Sequence, residues 1–162
     1  MKKLTGPRLM LNSSFDASDI LYASGFSAVD PFVFLQAGNK KYLVVSILEA
    51  GRASANTRDV TVFTPAELSL GKKQRRQISY WALGLLRKTG VKRVDVSATF
   101  PAGVVERLRR AGIRVKLSRT AAYPQREVKS ADEIERMKQS QAAAVSAMQA
   151  ALALIQRAAV SK

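Results

Sequence analysis

Two residue types that carry much of protein chemistry are missing from this 162-residue chain: it has no cysteine and no histidine. The first absence excludes disulfides, thiolate nucleophiles and thiolate metal ligands. The second removes the commonest general base and the commonest transition-metal ligand, so Ser-His-Asp, Cys-His and His-metal sites cannot be built. Acidic residues are also scarce, twelve Asp and Glu against 27 Lys and Arg. A metal site would need carboxylates alone, and these are scattered or sit where a helix start accounts for them. No catalytic residue or metal ligand is therefore expected in the chain. Long apolar runs are lacking too. Met1 to Leu11 contains Lys2, Lys3 and Arg8 but no stretch of signal-peptide length, and nothing later approaches a membrane span, so a cytoplasmic protein with no membrane partner is expected.

The charge is unevenly placed. Residues 1–70 hold seven Lys and Arg against six Asp and Glu, a net of +1, whereas residues 71–162 hold twenty against six, a net of +14. Lys72-Lys73-Gln-Arg75-Arg76, then Arg107, Arg109, Arg110, Arg114, Lys116 and Arg119, form the basic stretch. Such a surface attracts phosphate electrostatically. Base recognition needs exposed rings among the charges, yet this half offers only Tyr80, Trp81, Phe100 and Tyr123, and no zinc-finger or phosphate-loop spacing occurs. Specific nucleic-acid recognition is thus not expected. An acidic surface of another domain or subunit would account for the charge.

Composition is that of a globular chain, 47% hydrophobic and 24% charged, at the usual size of one domain. Asp19 to Ser24 reads as a first strand ending at Gly25-Phe26. Phe32 to Ala37 and Lys40 to Ile47, joined by Gly38-Asn39, form a hairpin pattern. A short helix is expected over 48–55 and a strand over Val60 to Phe63. From Lys73 to Lys88 the apolar positions Ile78, Trp81, Ala82, Leu85 and Leu86 follow helical spacing, with Gly90 as the stop. Arg93 to Ser97 is a strand, Pro101 to Ala111 a helix and Ile113 to Leu117 a strand. This alternation, with the hairpin before it, predicts an α/β fold on a mixed sheet.

The C-terminal segment is a long helix. Ser130 is an N-cap, Glu133 completes a capping box, and Asp132 and Glu135 place negative charge at the helix start. Ile134, Met137, Val145, Met148, Leu152 and Ile155 make a one-sided apolar stripe. Burying it calls for a partner, and a homodimer through this helix is expected, with Gln141 limiting a long coiled coil. Arg126 and Lys129 are either solvated charges on an extended link or, with Glu133, ion-pairing residues between domains.

Two segments carry a family resemblance. Asp19-Ile-Leu-Tyr22-Ala-Ser-Gly25-Phe26 resembles the strand and turn near the start of the creatinase, prolidase and aminopeptidase P proteins, the pita-bread metallopeptidases. Arg126-Glu-Val-Lys129-Ser130-Ala-Asp-Glu133-Ile134 is similar to the junction preceding the first helix of their catalytic domain. The resemblance implies that residues 1–125 form the family's non-catalytic N-terminal domain, a three-layer α/β fold like that of ribonuclease H. Residues 126–162 would then be the linker and first helix of a catalytic domain otherwise absent. The Asp, His and Glu ligands of a divalent metal (Mn, Co or Zn) would lie in that missing domain, the chain's expected partner. The parent activity implied is hydrolysis of an Xaa-Pro bond, or of a non-peptide substrate as in creatinase. The turn with Tyr22, Gly25, Phe26 and Asp30 would help to close an active site. Against this stands a purely structural role, with Tyr22 and Phe26 in the core and Gly25 supplying a positive φ. A basic nucleic-acid-binding module and a stand-alone interaction protein are the alternatives.

Overall fold

The structure is a computed structural model that describes residues 6–118 and 123–158; Arg119 of the basic stretch lies outside the described residues. It divides into two units, Met1–Pro124 and Gln125–Lys162.

The first unit is a six-stranded sheet in the order β4-β3-β2-β1-β5-β6. Its strands are β1 (Arg8–Asn12), β2 (Phe32–Ala37), β3 (Lys40–Val44), β4 (Val60–Phe63), β5 (Arg93–Ser97) and β6 (Arg114–Ser118). β2 pairs antiparallel with β1 and β3, while β3 with β4, β1 with β5 and β5 with β6 are parallel. Only β2 therefore runs against the rest. Helices α1 (Ser18–Ser24), α2 (Ile47–Asn56), α3 (Ile78–Thr89) and α4 (Ala102–Arg110) connect them.

Three layers follow from the connections. The β3-α2-β4 crossover moves one way across the sheet and β5-α4-β6 moves the other, so crossovers of one hand place their helices on opposite faces. Alternation along the strands fills both interfaces. Leu9, Val33, Leu35, Val94 and Val96 pack with Leu85 and Leu86 of α3 and Leu108 of α4. On the other face Phe32, Phe34, Leu43 and Val45 pack with Ile20 and Ala23 of α1 and Ala53 of α2.

The hairpin forms with the expected turn, and β4, β5 and the helices before and after β5 lie where periodicity places them. Three details differ. Asp19 to Ser24 is helix, not strand: Ile20, Ala23 and Ser24 are buried at helical spacing while the consecutive Leu21 and Tyr22 are each 40% exposed, a pattern no strand gives. The first strand is instead β1, and it is central. β3 ends at Val44, because Ser46 becomes the N-cap of α2, and α3 begins only at Ile78, after a 3-10 turn over Gln74–Arg76.

In the second unit α5 (Ala131–Arg157) runs for 27 residues. Its capping box is complete: the Glu133 backbone N–H donates to Ser130 Oγ at 3.2 Å, and Glu133 Oε2 accepts from the Ser130 N–H at 2.8 Å. The Ser130 N–H, and after it the Ser130 hydroxyl at 3.0 Å, donate to Glu133 Oε2 and hold the Glu133 carboxyl below its usual value. Among the described residues no helix is long and apolar enough to cross a membrane.

Leu9, 1% exposed, joins the two halves of the larger core. Leu9→Ala should lower unfolding free energy by about 2–5 kcal/mol, measured by urea denaturation. A loss under about 1 kcal/mol, the size expected of a surface site, would contradict the central placement of β1.

Candidate functional site

The sheet opens between β1 and β5. These neighbours share one register pair, Arg8↔Asp95, supported by a 2.7 Å bond from the Asp95 N–H to the Pro7 carbonyl. Among the described residues no further register pair joins them. β1 leads through α1 to β2 on one side, and β5 leads through α4 to β6 on the other. Adjacent parallel strands whose connections diverge leave a crevice at their carboxyl ends, the usual ligand position in open α/β sheets. A cavity of about 150 Å³ occupies it, with Leu11, Ile20, Val96 and Phe100 as apolar lining and Asn12, Asp19, Asp95, Ser97, Thr99 and Ser118 as polar lining. Arg8 lines it as well.

Arg8 and Asp95 lie side by side on one sheet face, and Arg8 Nη1 and Asp95 Oδ1 are both buried without a hydrogen-bond partner. Unpaired buried polar atoms are costly. The Asp95 carboxylate leans toward Gly6, where a Cβ would stand 3.2 Å from Oδ2. Arg8 leans the other way, with its Cζ 5.0 Å from the ring centroid of Tyr123.

Tyr123 anchors this end of the unit. It is 6% exposed, donates its hydroxyl to Gln36 Oε1 at 2.7 Å, and packs a tilted ring 5.6 Å from that of Tyr22. Burial pushes its hydroxyl above the ordinary tyrosine value, partly offset by the Arg8 charge.

The turn after α1 is built on Gly25, whose φ of 68° ends the helix while its N–H donates to the Leu21 carbonyl at 2.8 Å. A left-handed residue there favours glycine. Ser24, buried, donates to the Ile20 carbonyl at 2.6 Å and accepts from the Phe26 N–H at 3.0 Å. Phe26 is 1% exposed, edge-on to Phe32 and covered by Arg52, whose Nη1 donates to the Ser27 carbonyl at 2.6 Å. Gly25, Tyr22 and Asp30 are exposed. The structure thus brings Tyr22 to the Tyr123–Arg8 cluster, leaves Asp30 on the outer loop and places Phe26 in the core.

Sequence reasoning missed Arg8, Ser14 and Asp95. Ser14 ties the loop after β1 to the loop before β2: its hydroxyl donates to the Ala28 carbonyl at 2.9 Å and accepts from the Ala28 N–H at 2.8 Å. The signal was the Asn12-Ser13-Ser14 cluster of turn formers following a short apolar run.

In the second unit, Lys129 Nζ donates to the Glu127 carbonyl at 3.4 Å, and Glu133 is committed to its capping box. The α5 stripe is exposed from Ile134 at 43% through Met137, Val145, Met148 and Leu152 to Ile155 at 70%. Among the described residues no three acidic side chains gather where they could hold a metal.

No protein-family model matches the chain, and no curated protein matches it in sequence. Solved structures do. The prolidase of Pyrococcus horikoshii OT3 aligns with 97% of this chain at 20% identity and a TM-score of 0.64, and the chain covers 40% of that protein. The X-Pro aminopeptidase of Thermotoga maritima MSB8 aligns with 83% of it at 20% identity and a TM-score of 0.64, over 36% of that protein. The X-prolyl aminopeptidase of Caenorhabditis elegans, described as a cytosolic enzyme with a di-nuclear active site, aligns with 74% at 12% identity and a TM-score of 0.51, over 21% of its length. The fold is therefore one found in Xaa-Pro peptidase structures, and this chain spans 21% to 40% of the length of these three.

Tyr123 offers a test of the cluster. The folded chain holds its proton more tightly than the unfolded chain, so its contribution is intact below the ordinary value of 10.0 and is lost as pH rises toward the higher folded value. Thermal melts across this range should show a steeper decline for the parent than for Tyr123→Phe. Parallel declines would place Tyr123 in solvent.

Proposed function

We propose that the chain is the non-catalytic N-terminal domain, with the first helix of the following domain, of an Xaa-Pro aminopeptidase or prolidase. The observation that carries this reading is the asymmetry of the structural match: 97% of this chain aligns with only 40% of the Pyrococcus horikoshii prolidase. The junction resemblance from Arg126 to Ile134 supports it. The parent reaction would be hydrolysis before proline, in which a divalent metal activates water, as the di-nuclear site of the Caenorhabditis elegans neighbour suggests. The ligands of that metal would come from outside these residues, since the chain has no histidine.

In this reading the domain serves assembly and substrate access. Tyr22, Gly25 and Asp30 form the exposed part of a turn made rigid by Ser24 and Phe26, suited to closing a neighbouring active site. Arg126 and Lys129 would pair with carboxylates of the catalytic domain. The α5 stripe would be covered by that domain in the parent and by a second copy when the chain is alone.

Two measurements test the proposal. The reading frame downstream of codon 162 should continue into a segment encoding Asp, His and Glu metal ligands, and the chain alone should leave an Xaa-Pro dipeptide uncut with Mn²⁺, Co²⁺ or Zn²⁺ present. Metal-dependent turnover that is lost in a point variant of this chain would overturn it. For the helix, sedimentation equilibrium should show a concentration-dependent dimer that Leu152→Asp with Ile155→Asp converts to monomer, because each buried Leu or Ile contributes about 1.5–3 kcal/mol. A parent chain that is monomeric at high concentration would remove the dimer.

A further inference from the structure

The peptidase reading gives the basic stretch no role beyond facing an acidic surface of another domain or subunit. Residues 71–118 carry thirteen Lys and Arg against two acids, Asp95 and Glu106. Part of this has a local cause, since Arg87 and Lys88 end α3 and Arg107, Arg109 and Arg110 end α4, where they meet the negative ends of the helix dipoles. Each such end amounts to about half a charge, so five cations exceed what two helix ends call for. Glu106 is already paired with Arg110.

The surplus converges at the amino ends of β5 and β6. Arg93, Arg109, Arg114 and Lys116 line one shallow depression together with Gly112, Ile113 and Val115. Arg93 and Arg114 are direct cross-strand partners on the same face, a like-charge pair that weakens a sheet unless an anion lies between or above the two. Arg109 reaches the same place from α4, its Nη2 3.4 Å from the Val115 carbonyl. Asp95 stands opposite Lys116, yet its carboxylate is turned toward Gly6. β6 ends the sheet, so the depression faces outward.

We infer that this depression binds the phosphate backbone of nucleic acid without reading its sequence. A protein partner is the poorer fit, because interface cores are apolar and depleted of charge, whereas Ile113 is 8% exposed and all four cations are exposed. Nucleic-acid interfaces are polar and strongly positive. Guanidinium groups, three of the four here, suit bidentate phosphate contacts. The depression offers no stacking platform for bases: none of the residues that line it is aromatic, and the nearby Tyr80 ring is covered by Arg107 at 4.0 Å.

The test is fluorescence anisotropy of the full chain with two unrelated labelled 20-base-pair DNA duplexes, from low to physiological salt. Four phosphate contacts give a slope of log K against log salt of about −3.6, equal for both duplexes. Replacing Arg109, Arg114 and Lys116 by Gln should reduce the slope by about 2.7. Replacing Lys72, Lys73 and Arg76 by Gln removes the same charge at the opposite end of α3 and should leave the slope within about one unit of the parent. Equal losses in the two triple variants would reduce the effect to net charge and overturn the site. Tighter binding of poly-glutamate than of DNA at matched salt would assign the depression to an acidic protein instead, and discrimination between the duplexes would overturn backbone-only binding. Should the depression variant melt below the assay temperature, Arg109→Gln and Lys116→Gln measured singly should each reduce the slope by about 0.9.

Discussion

The first unit depends on a seam. Its sheet is two parts, the four strands β4-β3-β2-β1 and the pair β5-β6, and among the described residues the register between them is a single pair, Arg8↔Asp95. One bridge cannot hold two sheet segments together. The larger core does so instead, since Leu9 on one side of the seam and Val94 and Val96 on the other share the same covering side chains of α3 and α4. Apolar burial thus replaces ladder hydrogen bonds where the ladder fails, and α3, which follows β4 and precedes β5, also carries the chain across.

The cavity is the other consequence of that seam. Helices cover the β1–β5 junction on one face, and on the opposite face α1 covers β1 but leaves β5 lined by Arg93, Asp95 and Ser97. Although Arg8 and Asp95 are register partners, Arg8 turns to Tyr123 and Asp95 to Gly6, each leaving one buried atom without a hydrogen-bond partner. Both residues are among those that line the cavity.

Most of the fold was legible from period and punctuation. The β2–β3 hairpin announces itself by two β-rich runs around Gly38-Asn39, and α3, β5 and α4 by a change of period between Gly90 and Pro101. β1 was not, because only five residues form it and Arg8 and Asn12 at its ends look like loop. α1 was misread for a related reason: Ile20-Leu21-Tyr22 has strand propensity, and only burial of Ile20 with Ala23 and Ser24 shows that helical packing decided the outcome. The site was less legible still. Gly25 follows from its turn, but the Tyr22–Tyr123 contact spans a hundred residues, and Arg8 and Asp95 become neighbours only through the strand order.

The same physics separates the kinds of partner this chain can take. A long amphipathic helix with an exposed apolar stripe gains free energy only by excluding water, which requires a shaped protein surface and is little affected by salt. A cluster of exposed guanidinium groups on a sheet edge gains by releasing counterions, which requires closely spaced negative charge and fades as salt rises. Neither surface can substitute for the other. The two proposed associations would therefore respond differently to ionic strength, a rise in salt weakening the phosphate contact proposed for the first unit while leaving the helical contact proposed for the second in place.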